Sequence, residues 1–149
     1  MNGGNQHAED SDAAETSEGA TEQASSAAPA SSASAGKFRD PRVILDEMLD
    51  SIDLIQRYTQ GLVYEEFAAQ QVLKDAVMLR IAILGEAASR LPDQDKARWT
   101  SVPWRVVIDM RNRLIHGYFA VRLDLIWQVV TVDLPPLKSQ LQSIRDGLS

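Results

Sequence analysis

Apolar residues recur at three- and four-residue spacing along most of the chain after Phe38, which is the pattern of helices that bury one face. No segment alternates apolar and polar residues over enough positions to indicate a strand. Cysteine is absent, so disulfides, thiolate nucleophiles and cysteine-bound metals are excluded. The pattern therefore predicts an all-α antiparallel bundle of about four to five helices.

The first 36 residues differ in composition from the rest, because after Met1 they hold no aromatic and no large aliphatic residue. Such a segment cannot bury enough apolar surface to offset its chain entropy. Residues 1–36 are therefore predicted to be a disordered Ala/Ser-rich tail without a secretory signal, and residues 37–149 a single helical domain. The tail holds six acids and no Lys or Arg, whereas the remaining residues hold 15 acids and 15 bases. The net charge of −6 thus comes from the tail and does not oppose a nucleic-acid partner for the domain.

Start and stop signals divide the domain into helices. Asp40-Pro41 is a typical helix start, because the Asp can cap the helix and the Pro needs no hydrogen-bond acceptor there. The predicted helices cover 41–61, 70–91, 103–117 and 123–134, with a last helix after Pro135-Pro136, a short turn or helix near 64–68 and a loop over 92–101. Gly85 lies in the middle of the second long helix, which indicates the close approach of another backbone.

The third long helix is amphipathic with one exception. Its apolar face holds Trp104, Val107, Ile108, Leu114, Ile115 and Tyr118. Arg111 falls in the middle of that face, where a charged side chain is costly without a partner. Two interpretations stay open at this point: an ion pair with Glu86 of the preceding helix, or a cleft or subunit interface at which an anion binds.

His116 lies in the last turn of the same helix, where the helix dipole favours a cation. In a purely structural interpretation, His116 is a cation that stabilises the helix end. Asp109 and Arg113 then form an ordinary exposed ion pair. Five Arg and one acid lie between Arg98 and Arg122. Arg, Asn, His and Tyr side chains in one short stretch can together hold a phosphate, move a proton and stack a base.

The segment from Arg111 to Tyr118 has the form Arg, four residues, His, one residue, Tyr. It resembles the signature of the HepT-like toxins, a branch of the HEPN superfamily of small helical ribonucleases. Other segments resemble that family in the same order along the chain: Gly85-Glu86-Ala87, Val102-Pro103-Trp104, and Ile126-Trp127 followed by Asp133-Leu134-Pro135. The resemblance covers about residues 39–148, which is the whole predicted domain.

This resemblance implies a HEPN-like homodimer that cleaves RNA without a metal or other cofactor, and an antitoxin that is a minimal nucleotidyltransferase. Arg111 and His116 occupy the positions of the family's cleavage residues, and Asn112 that of the polar residue after the motif Arg. Arg113 is assigned a supporting place beside them. Tyr118 occupies the position of a tyrosine that the nucleotidyltransferase adenylylates in some of these pairs.

The residues themselves are compatible with metal-independent chemistry. The domain has one His, and its acids form no obvious cluster on a helical face. The remaining route for RNA is attack by the 2′-OH on its own phosphate, with His116 as base or acid and Arg111 stabilising the phosphoryl charge. The expected products are a 2′,3′-cyclic phosphate and a 5′-OH. Arg111 and His116 are about 140° apart on an ideal helix, so a site shared by two protomers is predicted, with fraying at Gly117 as the alternative.

Two positions depart from the family pattern. Arg122 stands where the family more often has an acid opening the next helix, and the segment Leu62-Val63-Tyr64 is less polar than expected. Two other functions stay open: a non-catalytic HEPN dimer that binds RNA or a nucleotidyltransferase, and a purely structural bundle. No apolar run approaches the roughly 20 residues that span a bilayer, so a cytoplasmic protein without a membrane partner is predicted.

Overall fold

The described part of the chain, residues 40–148 of a computed structural model, is helical and contains no strand. Its elements are α1 (Pro41–Thr59), α2 (Tyr64–Ala68), α3 (Gln71–Ser89), α4 (Asp93–Arg98), α5 (Trp104–His116), a 3₁₀ turn (Tyr118–Ala120), α6 (Leu123–Gln128), a π-helical segment (Val129–Asp133) and α7 (Leu134–Gly147). The all-α class predicted from the spacing of apolar residues is confirmed. The predicted tail, residues 1–36, lies outside the described residues.

Helix α1 begins as its sequence predicts. The Asp40 carboxylate accepts the backbone N–H of Arg42 at 3.0 Å, and Pro41 lies in the first turn. After the helix ends at Thr59, Gly61 has a φ of 76°, a left-handed conformation that glycine adopts without a steric penalty. The buried face of α1 contains Ile44, Leu45, Met48, Ile52 and Ile55.

Helix α3 lies at the centre of the bundle, packed on α1 on one side and on α5 on the other, while α7 packs on α1. Leu84 of α3 is fully buried, as are Leu134 and Leu141 of α7. Phe67 of the short helix α2 is also fully buried and stacks on Trp127 of α6 with ring centroids 5.0 Å apart. Because α3 contacts both long neighbours, it determines where α5 and its motif lie.

The loop predicted over residues 92–101 is wrong in part, because Asp93–Arg98 form the short helix α4. Two Asp lie in its first turn, and Lys96 and Arg98 lie in its last, an arrangement that suits the helix dipole. The prediction missed α4 because six mostly polar residues are too few to show a helical period.

The helix break predicted at Pro135-Pro136 is also wrong. Residues 123–147 form one continuous run in which the π-helical segment Val129–Asp133 joins α6 to α7, and the prolines lie in the first turn of α7. Proline lacks the N–H that an α-helix requires in its interior. The wider π turn changes the hydrogen-bonding register just before the prolines, so the chain stays helical where their missing donors would otherwise interrupt it.

Candidate active site

Helix α5 carries the motif and is anchored by its apolar residues. Trp104, Val107 and Leu114 are buried, and the indole N–H of Trp104 donates to the Trp99 carbonyl at 2.9 Å. Ile115 was predicted on the same apolar face but is 57% exposed, because the last turn of α5 extends to the edge of the core. The motif therefore begins on a rigid part of the helix and ends at the surface.

Arg111 lies at the contact between α5 and α3. Its guanidinium forms an ion pair with the Glu86 carboxylate of α3 and donates to the Asn112 side-chain oxygen at 2.6 Å. The Arg111 side chain keeps 25% of its surface exposed and that of Glu86 keeps 49%, so the predicted pair is present but lies at the edge of the core. The Nε of Arg111 is buried and has no hydrogen-bond partner among residues 40–148.

Gly85 creates the space in which Arg111 lies. A Cβ atom at position 85 would stand 2.3 Å from the Cβ of Arg111 and 2.9 Å from the backbone oxygen of Val107. Both atoms belong to the stem or backbone of α5 and cannot rotate away. The close backbone approach predicted from the mid-helix glycine is therefore confirmed, and it brings Arg111 within reach of α3.

His116 is the last residue of α5 and is exposed. The helix stops there, and the N–H of Gly117 donates to the Arg113 carbonyl at 3.0 Å. His116 lines a cavity of about 510 Å³ between the end of α5 and α6, together with Arg113 and Arg122. Arg111 is not among the lining residues. Within one chain, the structure thus directs Arg111 toward α3 and His116 toward α6.

Tyr118 begins the 3₁₀ turn after α5 and is tied back to α3. Its hydroxyl donates to the Asp75 carboxylate, which also accepts the Gln71 side-chain amide at 2.8 Å. The bond from Tyr118, with that from Gln71, lowers the pKa of Asp75, and the same bond raises the pKa of Tyr118. Sequence reasoning did not identify Asp75, because its place opposite Tyr118 depends on how α3 and α5 pack.

The arginines near the cavity differ in their partners. Arg122 forms a side-on ion pair with Asp124, with nitrogen–oxygen distances of 3.2 and 2.6 Å, and this contact lowers the pKa of Asp124. Arg113 is exposed and forms no ion pair with another residue of the described range. The helical ion pair considered for Asp109 and Arg113 is therefore absent, although Asp109 and Asp133 line a neighbouring groove with Arg113.

Metal-binding geometry is absent from the part of the chain that the structure describes, where no three His, Asp or Glu side chains are grouped to hold an ion. None of the helices in that part combines the length and hydropathy that crossing a bilayer needs.

The all-α bundle is consistent with a HEPN-like fold. The family model described as Ribonuclease HepT-like matches residues 48–144. The chain therefore belongs to the HepT-like ribonuclease family, as the motif predicted.

Several curated proteins are similar to the chain. A protein of Thermococcus cleftensis, provisionally named ribonuclease HepT, is 32% identical over 107 residues that cover 72% of this chain and 97% of the relative. A provisionally named RNase of Caldanaerobacter subterraneus subsp. tengcongensis is 31% identical over 72% of this chain and 96% of its own length. A protein of Methanocaldococcus jannaschii is named as a gamma-glutamylcyclotransferase and, provisionally, as an RNase. It is 38% identical to this chain over 74% of the chain's length, and the match covers half of that relative. No solved structure matches the chain significantly.

Proposed function

We propose that this protein is a metal-independent endoribonuclease, the toxin of a toxin–antitoxin pair, and that Arg111 and His116 cleave its RNA substrate. The observation that carries the proposal is the accessibility of both groups. A quarter of the Arg111 side chain is exposed despite its place in an apolar stripe, and His116 is exposed at the helix end. Membership of a ribonuclease family supports RNA as the substrate.

In the proposed reaction, the 2′-OH of one nucleotide attacks its own 3′-phosphate. His116 accepts the hydroxyl proton, and the guanidinium of Arg111 stabilises the charge that develops on the phosphoryl oxygens. The bond from phosphorus to the 5′-oxygen of the next nucleotide breaks, and an acid protonates the departing oxygen. The products are a 2′,3′-cyclic phosphate and a 5′-OH. Asn112 supports the site by accepting a hydrogen bond that orients Arg111.

A homodimer would bring Arg111 and His116 together in one site. Arg111 and His116 of one chain are directed toward different neighbours, and one chain offers one His in the domain. Two contacts join α3 to α5 and the 3₁₀ turn that follows it: Arg111 with Glu86, and Tyr118 with Asp75. Between these contacts along the two helices, Leu79 is 58% exposed and Ile115 is 57% exposed. An exposed apolar patch beside the motif suits a twofold interface that joins Arg111 of one protomer to His116 of the other.

Neutralisation by a minimal nucleotidyltransferase is part of the same proposal, with Tyr118 as the residue that is adenylylated. Tyr118 is 40% exposed, so an enzyme can reach its hydroxyl once the bond to Asp75 opens. An adenylyl group on Tyr118 would add a phosphate two residues from His116 and compete with RNA. Because its proposed partners are RNA and a nucleotidyltransferase, we place the protein in the cytoplasm.

Growth arrest on expression tests the toxin assignment. We expect the wild-type chain to arrest growth and both Arg111→Ala and His116→Ala to be harmless while still folding. Arg105→Ala is the matched control, because Arg105 is an exposed arginine on the same helix outside the motif, and it should remain toxic. A His116→Ala protein as toxic as wild type would refute the cleavage assignment.

Purified protein tests the chemistry. RNA should be cut in the presence of EDTA and leave 2′,3′-cyclic phosphate ends, whereas DNA of the same sequence should survive because it lacks the 2′-OH. Cleavage that stops in EDTA and returns with Mg²⁺ would contradict metal independence.

A non-catalytic dimer that binds RNA or the nucleotidyltransferase is the second candidate. The ion pair of Arg111 with Glu86 favours it, because this pair already satisfies part of the guanidinium. RNA that is bound by the wild-type chain but never cut, with affinity lost in Arg111→Ala, would establish this alternative.

A further inference from the structure

The cavity beside His116 has no role in the mechanism above. It has a volume of about 510 Å³, which lies within the range of small-molecule sites, and it opens between the end of α5, the 3₁₀ turn and α6. Its walls are mainly aliphatic, with Leu114, Val121 and Ile126 among the lining residues. Leu114 and Ile126 are buried core residues, so this wall is part of the rigid bundle.

The cations of the cavity distinguish it from an ordinary surface depression. Arg113, Arg122 and His116 line it, and no Asp or Glu is among its lining residues. Arg113 has no ion-pair partner in the described range, and the acids near it, Asp109 and Asp133, line a separate groove. Arg122 forms an exposed side-on pair with Asp124, and the planar face of a guanidinium can stack on a nucleobase.

We infer that this cavity binds one unpaired nucleobase of the RNA, with Arg113 on an adjoining phosphate and the Arg122 guanidinium against the face of the base. The aliphatic walls of the cavity suit the flat, largely apolar ring of a nucleobase, and its cations suit the anionic phosphate attached to that base. This inference rests on the proposed function, because it makes the base a determinant of which nucleotide reaches His116. At the position of Arg122 the family more often has an acid. The inference explains the arginine here as a residue that stacks on the base.

The experiment uses the full chain and a fluorescein-labelled RNA of eight nucleotides whose 2′-O-methyl groups prevent cleavage. A second probe has the same backbone without bases. Wild-type protein should bind the base-bearing probe about tenfold more tightly than the abasic one, since burying or stacking a base adds affinity that the phosphates do not supply. The salt dependence should be similar for both probes, because it reports phosphate contacts.

Two variants fill the cavity. Ala120→Leu and Ala120→Met enlarge a lining side chain that is already exposed and lies outside the buried core, and circular dichroism checks the folding of both variants. Each should reduce the preference for bases to about twofold or less. The matched control Ala97→Leu enlarges an exposed alanine of α4 that does not line the cavity and should keep the wild-type preference.

Failure of this inference can be told apart from failure of the proposed function. If either filled variant folds and keeps the tenfold preference, or if wild-type protein cleaves RNA but does not prefer bases, the nucleobase site is wrong and the ribonuclease stands. If filling the cavity changes the oligomeric state without changing base preference, the cavity is a protein interface. If wild-type protein neither binds nor cuts RNA, both proposals fall.

Discussion

Arg111 forms a structural ion pair with Glu86, and under the proposed function it also contacts the RNA phosphate. Two of its guanidinium nitrogens are satisfied by Glu86 and Asn112, whereas its buried Nε has no partner in the described range. A buried donor without an acceptor costs about 1–3 kcal/mol. The proposed phosphate would instead meet the exposed quarter of the Arg111 side chain.

Tyr118 provides a prediction at the residue scale. Its bond to Asp75 raises the pKa of the phenol above the ordinary 10.0, so we expect this tyrosine to ionise at a higher pH than a free one. Tyrosine ionisation is followed by ultraviolet absorbance in wild type and in Tyr118→Phe. The difference between the two titration curves reports Tyr118 alone and removes the signal of the other two tyrosines. Asp75→Asn should move the transition back toward pH 10, whereas Asp50→Asn, a change of an exposed carboxylate on α1, should not.

The same bond makes stability depend on pH with a definite sign. The folded-state pKa of Asp75 is lowered, so the folded chain binds fewer protons there than the unfolded chain at acidic pH. The stabilisation is fully present above the ordinary pKa near 3.8 and is lost as the pH falls below it. The raised pKa of Tyr118 stabilises the fold below about pH 10 and ceases to do so as the pH rises through its folded value. Urea unfolding of wild type and Asp75→Asn should converge at low pH, and curves that stay parallel would refute the contact.

Arg113 provides a second prediction at this scale. An arginine without an ion-pair partner that contacts one RNA phosphate should contribute about 0.7 to the slope of log affinity against log salt concentration. Arg113→Gln should weaken RNA binding and reduce the slope by about that amount, measured by fluorescence anisotropy between 50 and 300 mM salt. Arg57→Gln, at an exposed arginine near the end of α1, is the control. An unchanged slope for Arg113→Gln would remove this residue from the RNA interface.

At the scale of elements, the distance between α3 and α5 depends on Gly85. Gly85→Ala places a Cβ against the stem of Arg111 and the backbone of α5, so the helices must separate. We expect the free energy of unfolding to fall by about 1–3 kcal/mol despite the better helix propensity of alanine. Gly147→Ala is the control, because its Cβ would meet nothing within 4 Å. Urea denaturation checks both, and a Gly85→Ala protein as stable as wild type would contradict the observed packing.

The helical run continues from α6 through α7 without a break. Pro135-Pro136 predicts a break from local chemistry alone, yet the chain remains helical through the π segment. Leu134 is fully buried directly before the prolines, and Leu137 is buried directly after them. Burial on both sides keeps the direction of the helix, so tertiary packing overrides a strong local signal.

At the scale of the whole molecule, the proposed site requires two chains, and subunit mixing tests this. Arg111→Ala and His116→Ala are each expected to be inactive alone. If Arg111 of one protomer works with His116 of the other, co-refolded mixtures should regain about a quarter of wild-type cleavage, because half of the dimers are mixed and each has one intact site. A site within one chain predicts no recovery, so an inactive mixture that contains mixed dimers would refute the shared site.

The patch between the two α3–α5 contacts is the proposed interface. Leu79→Glu should give a monomer by light scattering and abolish RNA cleavage while leaving the helical content unchanged. Val132→Glu is the control, because Val132 is 58% exposed on the π segment, as Leu79 is on α3. A monomeric Leu79→Glu protein that still cuts RNA would contradict the dimeric site.

Local patterns in the sequence were sufficient to predict the helical class, the start of α1, the place where α5 ends, the close approach at Gly85 and the family. These depend on interactions within a few residues of each other or on a motif that is contiguous in the chain, so periodicity and spacing reveal them. The assignment of Arg111 to Glu86 was also within reach, because a charged residue in an apolar stripe calls for a partner on the helix that it packs against.

Three features become visible only in the folded molecule: the contact of Asp75 with Tyr118, the particular helices that Arg111 and His116 face, and the cavity beside His116. Each of these depends on the distance and rotation between helices that are far apart in sequence. Apolar periodicity states which face of a helix is buried, but it does not state how far one helix is shifted along another. That shift is set by the packing of particular side chains, above all by the absence of one at Gly85.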